Sequence, residues 1–344
     1  MRICYLLEST ELCGGVRVVF DQARALQKRG HRVIIRALRG DHRWYPYQVK
    51  VDYVPNFNSS TTLKPDVVIA TFWTTVHGAM ELKGKITFHL CQGYEGDNPE
   101  YSHLRPLIEG AYRTPIPKLT IGKWVSNHLK ELFGTENFEI YEIGQIIDLE
   151  IFKPLPSWIK KFSKIGSKKI KVLVIGPYEA SVKGIYYALN AVRLLREMRE
   201  NIHLIRVSTG NPSSEETAIT HIDEYLRNIL PTKLGKIYQK CDLFLASSLS
   251  YEGFGLPFAE ALACGVPSVA TAIPSHLSFD KNHDYALFVP EKDPVSIAEA
   301  AIKIIKDKQL RRTLRKRGLE VVNRNFRSDI IAERLESLFI NALR

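Results

Sequence analysis

Apolar and polar positions along the first 150 residues predict strands that alternate with helices. A short apolar run at residues 2–8 is followed by a segment of helical period at 16–29 and a second apolar run at 32–38. Such continuous apolar runs, separated by helices, are typical of parallel strands buried on both faces. Further runs lie at 49–55, 66–72, 85–91, 118–122 and 138–144. The pattern predicts a Rossmann-like, doubly wound α/β domain over residues 1–154.

The alternation stops at residues 155–169, which include proline, glycine and several lysines, and it restarts at residue 170. We predict a linker at 155–169 and a second Rossmann-like domain over 170–325, since 344 residues exceed what one core usually supports. A last helix within 326–344 is expected to pack back on the first domain. In such folds ligands bind at the carboxyl ends of the strands, here across a cleft between the two sheets.

Composition is that of a globular protein, with 45% apolar and 25% charged residues. The net charge of +11 falls almost wholly in the second half, because residues 1–150 hold 18 Lys/Arg and 17 Asp/Glu, whereas residues 151–344 hold 30 and 20. Basic clusters could form a solvated face or meet nucleic acid, an anionic membrane or a phosphorylated substrate. The clustered lysines and arginines are Lys160, Lys161, Lys164, Lys168, Lys169, Lys171 and those from Lys303 to Arg317.

The five cysteines are scattered, odd in number and without a C-x-x-C pair. This spacing argues against both a disulfide framework and a zinc site, and it favours a reducing cytoplasm. No stretch approaches the roughly 20 apolar residues that a spanning helix requires. We expect a cytoplasmic protein whose basic surface leaves room for contact with the inner face of the membrane.

A glycine-rich turn between a strand and a helix carries the clearest chemical signal. The apolar run 241–248 is followed by Glu252, Gly253, Phe254, Gly255 and Leu256, and a helix is predicted to begin near residue 257. Glycines let the backbone approach a ligand, and the unpaired amides of a first helical turn attract anions. The segment predicts a diphosphate site.

Two glutamates bracket this turn. Glu252 lies on the turn and Glu260, eight residues later, lies about one turn into the helix. The two carboxylates could hold the sugar and the nucleotide of one ligand separately, because a carboxylate accepts strong hydrogen bonds from hydroxyls. The alternative is that Glu260 occupies a solvated face of the helix.

The whole run 252–271 resembles the E-x7-E segment of the GT-B glycosyltransferases of group 1, a family-4-like family of retaining enzymes that use nucleotide sugars. Gly14-Gly15-Val16 resembles the family's N-terminal glycine loop, residues 147–154 resemble its domain junction, and Lys183-Gly184 resembles its donor-phosphate lysine. The resemblance covers nearly the whole chain. It implies the GT-B fold, with two Rossmann-like domains facing across a cleft.

The resemblance also implies roles for individual residues. Glu260 would bind the donor ribose, and Glu252 would face the transferred sugar. Lys183 would neutralise the leaving diphosphate. The donor diphosphate would be held by backbone of Gly253, Phe254, Gly255 and Leu256, and Gly14 and Gly15 would form a loop on the acceptor side.

Two departures from the family pattern stand out. Pro177 occupies the position where the family usually has a second phosphate-binding arginine, and Arg206 is a candidate substitute. Gln92 stands where the family often has a histidine, whereas His89 falls within the preceding strand. The run from Gln92 to Glu95 resembles a rhamnosyltransferase-type subgroup, which implies that both are catalytic. The nearby aromatics, Phe72, Trp73 and Tyr94, could stack on sugars or belong to the core.

The sequence thus predicts a glycosyltransferase that moves a sugar from a nucleotide-diphosphate donor to a glycan or lipid-linked acceptor. Retention follows from the resemblance alone, and the lack of an Asp-x-Asp motif at a strand end predicts transfer without metal or other cofactor. One alternative is a nicotinamide-dependent oxidoreductase, but no G-x-G-x-x-G follows the first strand of either domain. The other alternative is a basic nucleic-acid-binding protein. For the predicted glycosyltransferase we expect no nucleic-acid partner.

Overall fold

The computed structural model describes residues 1–59, 64–156 and 169–344. The chain divides into two compact units, the first formed by Met1–Ile146 with Phe326–Arg344 and the second by Ile147–Asn325. Most of the predicted linker, with Lys160, Lys161, Lys164 and Lys168, lies outside the described residues.

The first unit is built on a parallel sheet that has seven strands within the described residues. Its spatial order is β3-β2-β1-β4-β5-β6-β7. The strands are β1 (Arg2–Ser9), β2 (Arg32–Arg39), β3 (Val51–Tyr53), β4 (Val67–Ala70), β5 (Ile86–Cys91), β6 (Lys118–Thr120) and β7 (Ile140–Glu142). Both faces of β1 are buried, which explains why its sequence is continuously apolar.

Helices cover the faces of this sheet, and one of them is the C-terminal helix. They are α1 (Gly14–Lys28), α2 (Val76–Glu81), α3 (Arg105–Arg113), α4 (Lys123–Phe133) and, after the second unit, α12 (Ser328–Ala342). The C-terminal helix α12 contacts α1 through Glu336, which accepts from Arg29 and lies 2.8 Å from His31. On the sheet side Phe339 is fully buried, with its ring 5.3 Å from that of Phe88.

The second unit repeats the plan with a parallel sheet of six strands in the described part of the chain. Its order is β10-β9-β8-β11-β12-β13, the same arrangement without the last strand. The strands are β8 (Ile170–Ile175), β9 (Ile202–Ser208), β10 (Glu224–Arg227), β11 (Leu243–Ala246), β12 (Ser268–Thr271) and β13 (Leu287–Val289). The pattern did not predict β10 and β13, because both are short edge strands with half-exposed residues.

Seven helices of the second unit lie within the described residues. They are α5 (Ile185–Glu197), α6 (Ser214–Ile219), α7 (Pro231–Lys240), α8 (Leu256–Ala263), α9 (Pro274–Leu277), α10 (Pro294–Lys306) and α11 (Lys308–Asn325). The core joins apolar faces of α5 and α10 to the inner strands, for example Leu189 and Ala301 against Val172 and Leu243. These helices show the apolar stripe of period 3.6 that burial against a sheet requires.

The strand order fixes where each unit can bind a ligand. In both sheets the order reverses beside the first strand, between β1 and β4 in one and between β8 and β11 in the other. Open α/β sheets bind ligands outside the carboxyl ends of the strands at such a reversal. In the second unit the loops after β8 and β11 carry Lys183 and Glu252.

Candidate functional site

The turn before α8 depends on a glycine. Gly255 caps the helix with φ +82°, a left-handed conformation that favours glycine. A Cβ at this position would lie 2.7 Å from Nε2 of His276. The backbone therefore approaches the His276 ring as closely as a glycine permits. In the first turn of α8, Pro257 has no N–H, and the N–H groups of Phe258 and Ala259 donate to the Gly255 carbonyl oxygen.

Lys183 and Glu252 form an ion pair at the carboxyl ends of β8 and β11. The Lys183 Nζ lies 2.6 Å from Oε2 of Glu252, and the hydroxyl of Ser248 donates to the same oxygen at 3.0 Å. Glu252 is only 8% exposed. Burial acts to raise the pKa of Glu252, but the charge and hydrogen bond of Lys183 outweigh it and hold that pKa below its usual value. Glu252 is thus a buried carboxylate kept ionised by one lysine.

The backbone around Lys183 is fixed by the neighbouring strand. Gly184 has φ +56°, and a Cβ there would clash with the carbonyl oxygen of Ser247. The Ser247 hydroxyl in turn donates to the Lys183 carbonyl at 3.0 Å. The loop after β8 is therefore held against the loop after β11, which brings the lysine to a glutamate 69 residues further along the chain.

His276 joins this group and was not anticipated from the sequence. It is fully buried, its Nδ1 lies 3.1 Å from the Thr271 carbonyl oxygen, and its Nε2 has no hydrogen-bond partner among the described residues. Burial lowers the pKa of His276 to about 4, so the ring is neutral. The available signal was weak: a histidine just after the carboxyl end of a buried strand.

The space enclosed by these groups is small. A cavity of about 10 Å³ lies among Lys183, Ser248, Gly255 and His276. Such a volume holds about one water molecule, so a diphosphate cannot occupy it. A ligand of that size would bind at its mouth, where the Lys183 side chain is still 24% exposed.

Glu260 lies on the buried side of α8. It is 1% exposed, and the Tyr238 hydroxyl donates to its Oε2 at 3.0 Å and also contacts the Pro257 carbonyl oxygen at 2.9 Å. The alternative that Glu260 sits on a solvated helix face is therefore wrong. Its role as a ribose ligand stays a prediction.

Arg206 requires a correction. It was a candidate substitute for the missing phosphate arginine, but it is fully buried against the second sheet. Its guanidinium donates to Glu216 at 2.6 Å, to the Val174 carbonyl at 3.0 Å and to the Gly176 carbonyl at 2.9 Å. These bonds leave it unable to reach a ligand at the surface. It fixes the end of β8 instead.

The first unit brings together two of the predicted residues on its side. The Gln92 side-chain amide, just after β5, donates to the Gly15 carbonyl in the first turn of α1 at 3.1 Å. Gly14 begins that helix, and Cys13 caps it. Gln92 and the glycine loop therefore meet at the carboxyl ends of β1 and β5, which is where the fold binds ligands.

Glu95 lies in a half-buried environment three residues beyond Gln92. The Tyr112 hydroxyl donates to its Oε2 at 2.7 Å. Burial raises the pKa of Glu95 to about 7, with the Tyr112 bond acting in the opposite direction. A carboxyl group that titrates near neutral pH can accept or donate a proton under physiological conditions.

Two of the four histidine and aromatic side chains considered near this position belong to the core. His89 is fully buried within β5, and Tyr94 packs edge-on against Tyr112 and Phe133. Both belong to the core. Phe72 and Trp73 are half-buried around a short 3-10 helix, Trp73–Thr75, that follows β4.

Neither a metal cluster nor a membrane span was found in the described part of the chain. No group of three or more His, Cys, Asp or Glu there could hold a metal ion. None of the described helices combines the length and the apolar character needed to cross a bilayer.

Comparison with known proteins agrees with the geometry of the second unit. Residues 158–321 match the family described as "Glycosyl transferases group 1". The chain is 32% identical over 116 residues to N-acetyl-alpha-D-glucosaminyl L-malate synthase of Bacillus anthracis, covering 32% of this chain and 30% of that protein. It is 28% identical over 224 residues to the capsular polysaccharide biosynthesis glycosyltransferase CapM of Staphylococcus aureus, covering 64% and 51%. The chain thus spans about a third to a half of the length of these relatives.

A solved structure shows the same fold over 98% of the chain. HepE of Anabaena, solved in complex with UDP and glucose, superposes with a TM-score of 0.77 at 16% identity and covers 98% of both chains. The solved structures of this kind are GT-B glycosyltransferases. The predicted GT-B fold class and the predicted resemblance to the group 1 family are therefore confirmed.

Proposed function

We propose that this chain, whose residues 158–321 match the group 1 glycosyltransferases, transfers a sugar from a nucleotide-diphosphate donor to a glycan or lipid-linked acceptor. The observation that carries the proposal is the Lys183–Glu252 ion pair beside the glycine turn, at the strand ends where the second sheet reverses its order. A fixed cation, a fixed carboxylate and a glycine turn that leads into a helix are the groups that a diphosphate sugar needs.

Lys183 would stabilise the leaving diphosphate. An ammonium has three N–H donors, and Glu252 takes one of them, so the others can meet phosphate oxygens. Negative charge builds on the leaving oxygen as the glycosidic bond to phosphate breaks. A cation already fixed in place stabilises that charge more than it stabilises the bound substrate, which accelerates transfer.

The turn before α8 would bind the rest of the diphosphate. The amides of Gly253, Phe254, Gly255 and Leu256 would donate to the phosphate oxygens, and the positive end of the α8 dipole would add to the attraction. In the family a second arginine helps to bind the diphosphate. Because Arg206 is fully hydrogen-bonded within its own unit, the turn amides and Lys183 would have to bind the diphosphate without such an arginine.

The two glutamates would divide the donor between them. Glu252, ionised beside Lys183, would accept hydrogen bonds from hydroxyls of the transferred sugar. Glu260 would accept the ribose hydroxyls. Because Tyr238 now donates to Glu260, ribose binding requires that hydroxyl to share the carboxylate or to move.

The acceptor would be handled by the first unit. Gly14 and Gly15 admit a ligand close to the backbone, and Gln92 is held against Gly15. Glu95, with a pKa of about 7, would take part in proton transfer from the acceptor hydroxyl. Transfer would proceed with retention, the leaving phosphate assisting the acceptor on the same face of the sugar.

We propose a UDP-sugar as the first donor to test, because the similar HepE was solved with UDP and glucose. Transfer would need no metal or other cofactor, since Lys183, the turn amides and the α8 dipole supply the positive charge, and activity should persist in EDTA. The protein would act in the cytoplasm, at the inner membrane face where its acceptor is lipid-linked, with no nucleic-acid partner.

The decisive experiment combines donor binding with two variants. A thermal-shift screen with UDP, GDP, ADP and dTDP identifies the base, and transfer from the matching sugar nucleotide is then assayed. We expect Lys183→Gln to lower kcat by about 100-fold or more, as removal of one transition-state donor does elsewhere. Glu252→Gln should lower kcat as well, because it loses sugar contacts and releases Lys183.

Matched controls lie on exposed helices of the same unit. Lys236→Gln in α7 and Glu299→Gln in α10 make the same chemical changes and should leave kcat within twofold of the parent. Full activity in both Lys183→Gln and Glu252→Gln would disprove the site. Protection by NAD and not by any nucleoside diphosphate would instead support the oxidoreductase.

A further inference from the structure

A second cavity lies at the opposite end of the second sheet from the Lys183–Glu252 pair. It has a volume of about 520 Å³ and reaches Ile170 and Leu243, where β8 and β11 begin, and Pro267 just before β12. The proposed donor site lies at the carboxyl ends of the same strands. The cavity is therefore separate from that site, and its volume is in the range of small-molecule pockets.

The walls of this cavity are strongly basic. Seven lysines and arginines and one carboxylate, Asp242, are among its described lining residues. Asp242 is already committed, because its Oδ2 accepts the backbone N–H of Lys171 at 3.1 Å. Seven of the 30 lysines and arginines in the second half of the sequence thus surround one concave surface.

Four of these cations lie on one face of α11. Lys308, Arg311, Arg312 and Arg315 are spaced by three, four and seven residues, which places them side by side on the helix. Like charges at this spacing repel, and the amino-terminal half of a helix disfavours cations through its dipole. Asp307, just before the helix, offsets part of this cost by accepting the Gln309 and Leu310 amides.

Only one of the four cations has a structural partner. Arg311 donates to the carbonyl oxygens of Ile304 and Ile305 and so satisfies the end of α10. Within the described residues, Lys308, Arg312 and Arg315 make no hydrogen bond or ion pair. Arg315 is half-buried, and its side chain lies against Gly265, where an added Cβ would come within 3.1 Å of the Arg315 Nε. A partly buried guanidinium without a partner is costly unless a ligand meets it.

We propose that this cavity binds a phosphate-bearing anion, either a free phosphomonoester or diphosphate or the phosphate of a lipid headgroup. Guanidinium groups match the oxygens of a phosphate in pairs, and lysines add point charge. The ligand would offset the repulsion along α11 and provide a partner for Arg315. The inference does not depend on the proposed transfer reaction.

The test uses the full-length protein and inorganic pyrophosphate, measured by calorimetry at low salt because screening weakens exposed charges. Lys183→Gln serves as the background, so that binding at the proposed donor site is weakened. Adding Lys308→Gln and Arg312→Gln should raise Kd about tenfold or more through loss of charge-assisted bonds. Arg315→Gln alone should do the same and provides a second variant should one fold poorly.

The matched control is Lys316→Gln with Arg324→Gln. It removes two charges from exposed positions of the same helix that do not line the cavity, and it should leave Kd unchanged. Equal weakening by control and cavity variants would overturn the proposal, because binding would then follow net charge alone.

A vesicle experiment distinguishes the two sources of phosphate. The protein is sedimented with vesicles of phosphatidylglycerol and phosphatidylcholine, and with phosphatidylcholine alone. If the protein binds pyrophosphate and the cavity variants lose that binding, the ligand is a soluble phosphate compound. If the protein does not bind pyrophosphate but binds the anionic vesicles, and the cavity variants lose vesicle binding, the ligand is a lipid headgroup. If the cavity variants change neither, the proposal is wrong.

Discussion

Glu252 and Lys183 show how a single contact gives two residues a function that neither has alone. Burial by itself would favour a neutral Glu252, and the lysine keeps it charged. The same contact orients Lys183 toward the mouth of the small cavity. Because the two side chains form one ion pair, changing either one removes both a donor contact and the partner's charge compensation.

Glu95 is expected to make the folding stability depend on pH. Its pKa is raised to about 7 by burial, so the folded protein favours the neutral form. The stability this contributes is fully present below about pH 4.5, the ordinary range of a glutamate, and is lost as the pH rises toward 7. The loss is at most about 3 kcal/mol, from 1.36 kcal/mol per pKa unit.

The measurement is urea unfolding of the parent and of Glu95→Gln at pH 5 and pH 8. We expect the parent to lose stability relative to the variant across this interval, since glutamine does not ionise. Glu100→Gln, an exposed neighbour, is the control and should follow the parent. Parallel pH profiles for the parent and Glu95→Gln would show that the pKa is not raised.

At the scale of elements, β11 is joined to α8 by a turn whose backbone geometry depends on Gly255. The left-handed backbone there lets the chain pass from the turn directly into α8. The Cβ of any other residue would press on the His276 ring, which is itself fixed by Thr271 and by Tyr285, whose hydroxyl donates to the His276 carbonyl at 2.5 Å.

Gly255→Ala is expected to destabilise the protein by roughly 1–2 kcal/mol from the left-handed conformation alone, with the contact to His276 adding to that cost. Nucleoside diphosphate binding should weaken in parallel, measured as a smaller thermal shift. Gly110→Ala in α3 is the control, because a Cβ there meets nothing within 4 Å, and it should be neutral or slightly stabilising. A Gly255→Ala protein as stable as the control would mean that the turn is not strained.

At the scale of the whole molecule, the chain returns to its first unit at its end. The C-terminal helix α12 buries Phe339 against Phe88 of β5, so residues more than 200 positions apart share one core. The first unit is therefore complete only when the second unit has been synthesised, which makes Phe326–Arg344 part of its stability.

Phe339→Ala tests this closure. Removing a buried phenylalanine typically costs about 3–5 kcal/mol, through lost burial and the cavity left behind. We expect a loss of that size in denaturant unfolding followed by a probe in the first unit. Ile340→Ala, at a neighbouring position that is 39% exposed, should cost less than about 1 kcal/mol. Equal effects would show that α12 does not pack as described.

The sequence by itself determined the local features of this protein. Continuous apolar runs and helical periodicity predicted two doubly wound parallel sheets, and the GT-B class is confirmed. The glycines around residue 253 predicted the turn before α8. These features follow from neighbours in the chain, because strand burial, helix amphipathicity and left-handed turns depend on residues a few positions apart.

Only the tertiary structure decided which distant side chains meet. Arg206 looked like a free cation in the sequence, yet packing places it inside the sheet against Glu216 and Gly176. His276, unremarked in the sequence, lies against Gly255. For the basic residues of α11 the sequence left both a solvated face and an anionic partner open, and the structure shows that four of them line a cavity. Such outcomes depend on how strands and helices far apart in the chain pack together, and no local pattern of residues encodes that packing.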